Sequence, residues 1–121
     1  MRNAMRSTLF INTKPPYSSQ ATKESLDAAL ASAAFGVDVG LLFLEDSVFQ
    51  LKKDQHPGND FKRTAPIFQS LALYDISKVY VCEEDLAQRG LTPSDLIIEV
   101  SLVPAKQIST ILSSFDNLLT F

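Results

Sequence analysis

The stretch STLFINT, residues 7–13, carries three large apolar residues in succession. An unbroken apolar run of this kind is typical of a β-strand buried on both faces, as strands of a parallel sheet are. A second run, VDVGLLFL at residues 37–44, has the same character. Residues 22–35 lie between the two runs, and their apolar side chains recur at helical steps until Gly36, a residue type that commonly ends helices. The sequence therefore predicts a β-α-β unit.

The rest of the chain continues this alternation. The predicted elements after residue 44 are a short helix or turn at 45–51, an exposed loop at 52–60, a helix at 61–74, a strand at 78–82, a short helix at 83–89, a strand at 96–102, a helix at 104–114 and a last strand at 117–121. Such alternation favours a parallel sheet with helices on both faces. We expect an α/β fold: one three-layer α/β/α domain over residues 1–121 with a mainly parallel five-stranded sheet. Analogy with flavodoxin-like folds suggests the strand order 2-1-3-4-5.

The composition indicates a soluble globular protein, because 45% of the residues are hydrophobic and 21% are charged. The length of 121 residues fits one domain. The single cysteine cannot form an internal disulfide, and no targeting or membrane-spanning stretch stands out. We therefore expect a cytoplasmic protein that does not contact a membrane.

The charge bears on nucleic-acid binding. Proteins that bind nucleic acid without sequence preference usually present a basic surface to the phosphates. This chain has a net charge of -3 and a sequence pI of about 5.0. We expect any connection with RNA to run through a partner protein.

The only cysteine, Cys82, is predicted to lie where a strand meets the start of a helix. Amide dipoles at a helix start stabilise a thiolate, so this position could carry a reactive thiol. Three carboxylates follow at once, Glu83, Glu84 and Asp85, and neighbouring negative charge disfavours the thiolate. No second cysteine is present to resolve a disulfide. The electrostatics favour a small buried residue at Cys82 over a nucleophile, and Cys82 stays the one candidate for a catalytic residue.

The other residues that could carry chemistry give weaker signals. The turn after the first strand contains Pro15 and Pro16 and lacks the glycines that cradle a nucleotide or flavin phosphate. The lone histidine, His56, is not enough for a metal site. Glu45 and Asp46 could act as an acid–base pair, although acids at such positions more often favour the start of the following helix. No cofactor and no metal is therefore expected.

Four stretches of the sequence together resemble one known family. They are Pro16-Tyr17 with the helix ATKESLDAALASAAF, LLFLEDSVFQL at 41–51, LALYDISKVYVCEEDLAQRGL at 71–91, and Asp116 with the apolar tail that follows it. The chain resembles the DsrE/DsrF-like sulfur-relay family over nearly its whole length, and most closely the TusC-like (DsrF-like) branch. Ser18 departs from the pattern, since relatives tend to have glycine after the Pro-aromatic pair.

The resemblance implies a function that the composition does not. TusC-like chains assemble with TusB-like and TusD-like chains into a dimer of heterotrimers. That complex passes persulfide sulfur toward a TusE-like acceptor and the 2-thiolation of the tRNA wobble uridine. The sulfur-accepting cysteine belongs to the TusD-like subunit, so a TusC-like chain is expected to be a non-catalytic partner and not an enzyme, with tRNA contacted only indirectly.

Two alternatives stay open. The chain could be a self-sufficient persulfide carrier that uses Cys82, or a DsrF-type subunit of a DsrEFH sulfur-oxidation complex.

Val48, Phe49 and Leu51 are candidates for the subunit interface, because three apolar side chains so close together are costly to expose. The alternative is that these three side chains close the core of the domain itself.

Overall fold

The structure is a computed structural model that describes residues 6–15, 21–52, 68 and 70–121. The predictions made for Ser18, for His56 and for most of the helix at 61–74 lie outside these ranges. Phe68, which is described, is helical and buried, and its ring centroid is 5.9 Å from that of Phe43. The predicted helix ends in a 3₁₀ helix, Leu71–Tyr74, which is closed by Asp75 at a positive φ of 60°.

Five strands form one sheet: β1 Ser7–Asn12, β2 Asp38–Phe43, β3 Lys78–Cys82, β4 Ser101–Val103 and β5 Asn117–Thr120. The α-helices whose bounds fall within the described residues are α1 Ala21–Ala34, α2 Glu83–Gln88 and α3 Ile108–Ser113. The 3₁₀ helices are Glu45–Leu51, Leu71–Tyr74, Pro93–Asp95 and Ala105–Gln107. Every strand pair of the described sheet is parallel. The predicted α/β fold with a parallel five-stranded sheet is confirmed.

The predicted strand order is wrong. The observed order is β4-β3-β2-β1-β5, so β1 lies between β2 and β5 and not between β2 and β3. The steps from β1 to β4 all run in one direction across the sheet, and the chain then returns from β4 to the free side of β1. Right-handed connections place the helices of the forward steps on one face and the helix of the return step on the other.

The packing agrees with this arrangement of helices. One face holds the larger core, in which β-strand residues such as Phe10, Leu41 and Val81 pack against α1, the 3₁₀ helix Glu45–Leu51 and α2. The core on the opposite face is smaller and contains Leu9, Ile11 and Leu42. These side chains are covered by four residues of the return segment, Ile108, Ile111, Leu112 and Phe115. The side chains of β1 and β2 are therefore buried on both faces, as their unbroken apolar runs predicted.

The fourth strand is shorter than predicted, covering Ser101–Val103 instead of residues 96–102. The apolar stretch before it has other partners. Leu96 forms an isolated antiparallel bridge with Lys52, and the N–H of Ile97 donates to the carbonyl of Leu51 at 2.8 Å. Residues 96 and 97 are thus bound to the end of the 3₁₀ helix Glu45–Leu51, which keeps them from pairing with β3.

The return segment is anchored at the middle of the sheet by close packing. A Cβ atom on Gly40 of β2 would lie 2.5 Å from Cζ of Phe115 and 3.1 Å from Cδ1 of Leu9. Only glycine therefore lets the Phe115 ring rest on the strand. Two hydrogen bonds then fix the start of β5 beside β1: Asp116 Oδ2 accepts the N–H of Ser7 at 2.9 Å, and Ser7 Oγ accepts the N–H of Asp116 at 2.9 Å.

Gly40→Ala should lower the free energy of unfolding by about 1–3 kcal/mol, because the added methyl group collides with the Phe115 ring and displaces it. Urea denaturation followed by circular dichroism measures the change. The double variant Gly40→Ala/Phe115→Leu should regain part of the loss, since the smaller side chain leaves space for the methyl group. Equal stability of Gly40→Ala and the wild type would contradict the close packing described for this segment.

Candidate functional site

Cys82 is the last residue of β3 and directly precedes α2. Its side chain is only 4% exposed, and Val103 of β4 lies beside it in the sheet. The Sγ atom is 3.9 Å from Oε1 of Glu84, close enough for the thiol to donate a weak hydrogen bond. The same carboxylate oxygen accepts the N–H of Ala105 at 2.8 Å. The chain that leaves β4 is therefore held close to the thiol.

The surroundings of Cys82 favour the neutral thiol. Burial raises the pKa of the Cys82 thiol above its ordinary value, and the Asp85 carboxylate raises it further through its charge and a hydrogen bond. The backbone N–H groups of Asp85 and Glu84 act in the opposite direction and do not reverse the shift. The sequence predicted the opposition between helix amides and carboxylates, and the structure adds burial as the largest contribution. Because the thiolate is the nucleophile, this environment suppresses the reactivity of Cys82.

Acidic side chains surround the carboxyl ends of β2 and β3. Glu45 follows β2 with a positive φ of 54°, and its N–H donates to Asp85 Oδ2 at 2.7 Å. Arg89 Nε is 2.9 Å from Asp46 Oδ1, and its Nη1 donates to the Asp85 carbonyl at 3.0 Å. Asp46 is therefore engaged in an ion pair, and Glu45 and Asp46 both lie in the first turn of the 3₁₀ helix Glu45–Leu51, where acidic side chains favour the start of a helix. The structure does not bring these two carboxylates together as an acid–base pair.

A buried polar network at the carboxyl end of β1 was not predicted from the sequence. Ser47 Oγ donates to the carbonyl of Asn12 at 2.7 Å, and Asn12 Nδ2 donates to the carbonyl of Leu42 at 3.3 Å. Gln50 Nε2 donates to the carbonyl of Lys14 at 2.8 Å. These bonds fix the 3₁₀ helix Glu45–Leu51 to the ends of the two central strands. The one available signal was that these polar residues interrupt otherwise apolar stretches.

The three interface candidates differ in their exposure. Val48 and Leu51 are fully buried within the chain and belong to its larger core cluster, so their side chains close the domain, which was the alternative reading of the sequence. Phe49 is half-buried and packs against the same core. Of the three, Phe49 alone offers side-chain surface to a partner.

Metal binding and membrane insertion find no support in the part of the chain that the structure describes. Among those residues, no group of three or more His, Cys, Asp and Glu side chains is arranged to hold a metal ion. No helix there has the length and apolar character needed to cross a bilayer. The environment of Cys82 and the acidic carboxyl ends of β2 and β3 form the candidate site.

The sequence model of the DsrE/DsrF-like family matches residues 6–121. The chain belongs to the DsrE/DsrF-like family. Among curated relatives, the protein TusC homolog of Vibrio vulnificus (strain CMCP6) is 40% identical over 107 residues, which cover 88% of this chain and 91% of that protein. The protein TusC homolog of Vibrio parahaemolyticus serotype O3:K6 (strain RIMD 2210633) is 36% identical over 118 residues, or 97% of this chain and 100% of that protein. The resemblance to the DsrE/DsrF-like family and its TusC-like branch is confirmed, and it supports the interpretation of the chain as a sulfur-relay subunit.

Solved structures share the fold. The ychN protein from E. coli superimposes with a TM-score of 0.81 at 23% identity, covering 97% of this chain and 100% of that chain. A conserved protein of unknown function from Bacteroides thetaiotaomicron gives a TM-score of 0.68 at 16% identity, covering 98% and 100%. At these identities the likeness concerns the fold alone.

The thiol environment leads to a test of reactivity. At neutral pH, Cys82 in the folded chain should react with iodoacetamide at least about tenfold more slowly than in the denatured chain, because burial and a raised pKa both reduce accessible thiolate. The rate in the folded chain should rise only at a higher pH than the rate in the denatured chain. Mass spectrometry of the alkylated protein over time measures both rates, and faster labelling of the folded chain would contradict the account of the site.

Proposed function

We propose that the chain is a non-catalytic subunit of a TusBCD-type sulfur-relay complex that passes persulfide sulfur toward 2-thiolation of the tRNA wobble uridine. Its partners are TusB-like and TusD-like chains in a dimer of heterotrimers, with a TusE-like acceptor reached through the complex. We place this complex in the cytoplasm. The observation that carries the proposal is the state of the only cysteine: buried, beside carboxylates and favouring the neutral thiol.

The chemistry of sulfur transfer explains why that observation matters. In a persulfide relay, an acceptor thiolate attacks the terminal sulfur of a donor persulfide, a new S–S bond forms, and the donor leaves as a thiolate. The acceptor must therefore be deprotonated and must admit the donor to its sulfur atom. Cys82 meets neither requirement in this structure, since its side chain is 4% exposed and its pKa is raised. The acceptor thiol of the complex then belongs to another subunit.

The distribution of charge supports an indirect relation to tRNA. Glu45, Asp46, Glu83, Glu84 and Asp85 cluster around the carboxyl ends of β2 and β3, and Arg89 is the cation that pairs with two of them. A phosphate backbone is repelled by such a surface, because binding to nucleic acid depends on cations that replace its counterions. Contact with tRNA is therefore left to other components of the pathway.

One observation favours the alternative of a persulfide carrier. Cys82 stands at the start of α2, where the N–H groups of Glu84 and Asp85 lower its pKa and would stabilise a thiolate. Assembly with a partner would have to move the segment around Ala105 before a donor could reach Sγ. Burial and the Asp85 charge outweigh the amides in the isolated chain, so the scaffold role has the stronger physical support.

The proposal predicts that Cys82→Ser keeps the activity of the complex. In cells that lack the natural gene, Cys82→Ser should restore 2-thiouridine in tRNA to the wild-type level, as measured by mass spectrometry of digested tRNA. The variant should also co-purify with the TusB-like and TusD-like chains. Cys82→Ala is the matched control, since it removes the sulfur without placing a hydroxyl group in the buried site.

The outcomes separate the candidate functions. Loss of 2-thiouridine in both variants, with normal assembly, would overturn the scaffold role in favour of a persulfide carrier. Unchanged 2-thiouridine after deletion of the whole gene would point to sulfur oxidation by a DsrEFH-type complex instead.

A further inference from the structure

A groove runs along the surface at the amino ends of β3 and β4. It consists of two adjoining cavities of about 860 and 320 Å³ that share Ser77, Ile98 and Glu99 in their walls. Leu71 and Ile76 line it on the side of β3, and Ile97 and Val100 line it on the side of β4. The wall of the smaller cavity is mostly apolar, whereas the wall of the larger cavity exposes somewhat more polar than apolar surface. Residues 96 and 97 make up part of this wall because they bind the 3₁₀ helix Glu45–Leu51 instead of continuing β4.

Large apolar side chains are exposed at the same end of the sheet. Leu73 is 84% exposed and Tyr74 is 44% exposed, and both follow Ala72, which lines the smaller cavity. Phe35, at the end of α1, is 89% exposed. Because β2 and β3 are parallel neighbours, the segments that lead into them lie at the same end of the sheet. In agreement with this, α1 packs against the 3₁₀ helix Leu71–Tyr74. An apolar cavity bordered by exposed apolar side chains and adjoining a more polar one is typical of a protein-binding surface.

The charges beside the groove indicate what kind of protein segment could bind there. Glu99 lies in the wall shared by both cavities, and Asp75 directly follows the 3₁₀ helix on the opposite side. Within the described parts of the chain, neither carboxylate has a salt bridge or a hydrogen bond to its side chain. Lys78, the described cation nearest to Asp75 in sequence, is bound to Asp38 with an Nζ–Oδ2 distance of 2.6 Å. The smaller cavity is thus apolar in its lining, and two carboxylates without a salt bridge to any described residue stand beside it.

We infer that this groove binds a segment of a sister subunit that presents apolar side chains together with a lysine or arginine, the cation pairing with Glu99. The inference rests on the proposed function, because it takes the relay complex as the source of the partner. A cation suits Glu99 because a carboxylate beside an apolar contact must be paired once the contact excludes water. The apolar residues of the segment would cover Leu73 and the isoleucines of the wall.

This surface lies at the end of the sheet opposite Cys82. Ser77 and residues 96–100 precede their strands, whereas Cys82 ends β3, so the length of β3 separates the groove from the thiol. Docking here leaves the carboxyl ends of the strands uncovered. The chain can therefore hold a partner at one end without presenting its own cysteine to the transferred sulfur.

Two substitutions, one at the border of the groove and one in its wall, test the inference in the co-expressed complex. Leu73→Asp and Glu99→Lys should each reduce the amount of sister subunit that co-purifies at least about tenfold, the first by placing a charge in the apolar contact and the second by opposing the partner's cation. Both side chains are exposed, so the fold should be retained, as circular dichroism and thermal unfolding of each variant can show. Leu118→Asp on β5 and Glu24→Lys on α1 are the matched controls, since they make the same changes at exposed positions away from the groove.

A photo-crosslinking residue in place of Leu73 identifies the occupant directly. The expected product joins this position to a peptide of a sister subunit that contains apolar residues and a lysine or arginine. Full assembly of both groove variants, with crosslinks to sister chains only from position 118, would overturn the inference and leave the proposed function intact. Crosslinks at position 73 to a second copy of this chain would also overturn it. Failure of the wild-type chain to bind any sister subunit would instead overturn the proposed function.

Discussion

The return of the chain from β4 to β5 is the constraint on which the rest of the structure depends. At its start, the N–H of Ala105 binds Glu84 beside the thiol. In its middle, α3 covers the smaller face of the sheet, and the Phe115 ring rests on Gly40. At its end, Asp116 and Ser7 exchange hydrogen bonds that set β5 beside β1. One segment thereby completes the burial of the central strands, determines the strand order and closes one side of the cysteine site.

The same arrangement separates two surfaces of different character. The carboxyl ends of β2 and β3 are acidic, and their one thiol is buried and has a raised pKa. The amino ends of β3 and β4 carry the groove, with its apolar smaller cavity, and the exposed Leu73. A protein that uses its own thiol would need accessible surface at the first end, whereas a subunit that holds other chains needs apolar surface at the second. The physical chemistry of the two ends thus supports a scaffold role more strongly than a catalytic one.

Much of the fold could be predicted from the sequence because it depends on local patterns. The apolar runs of β1 and β2, the helical spacing before Gly36 and the alternation of elements are sufficient for a parallel α/β domain. The strand order could not be predicted, because it depends on contacts between distant residues, such as Phe115 with Gly40. The length of β4 was overestimated because Leu96 and its neighbours have an apolar pattern suited to a strand but bind another element.

The candidate site was predictable in part. The position of Cys82 and the opposition between helix amides and carboxylates follow from the order of residues 79–85. The burial of Cys82 does not follow from that order, because Val103 and the segment after it come from a distant part of the chain. The same limit applies to the apolar residues of the 3₁₀ helix Glu45–Leu51. The sequence indicates that Val48 and Leu51 need to be buried, but it does not indicate whether residues of this chain or of a partner cover them.

The central claim is that this chain takes part in sulfur transfer without carrying sulfur. The most direct test is to load the assembled complex with a persulfide donor and to measure the intact mass of each subunit under non-reducing conditions. We expect the addition of one sulfur atom to a TusD-like subunit and an unchanged mass for this chain. A stable one-sulfur adduct mapped to Cys82, formed as fast as the adduct on its partner, would contradict it.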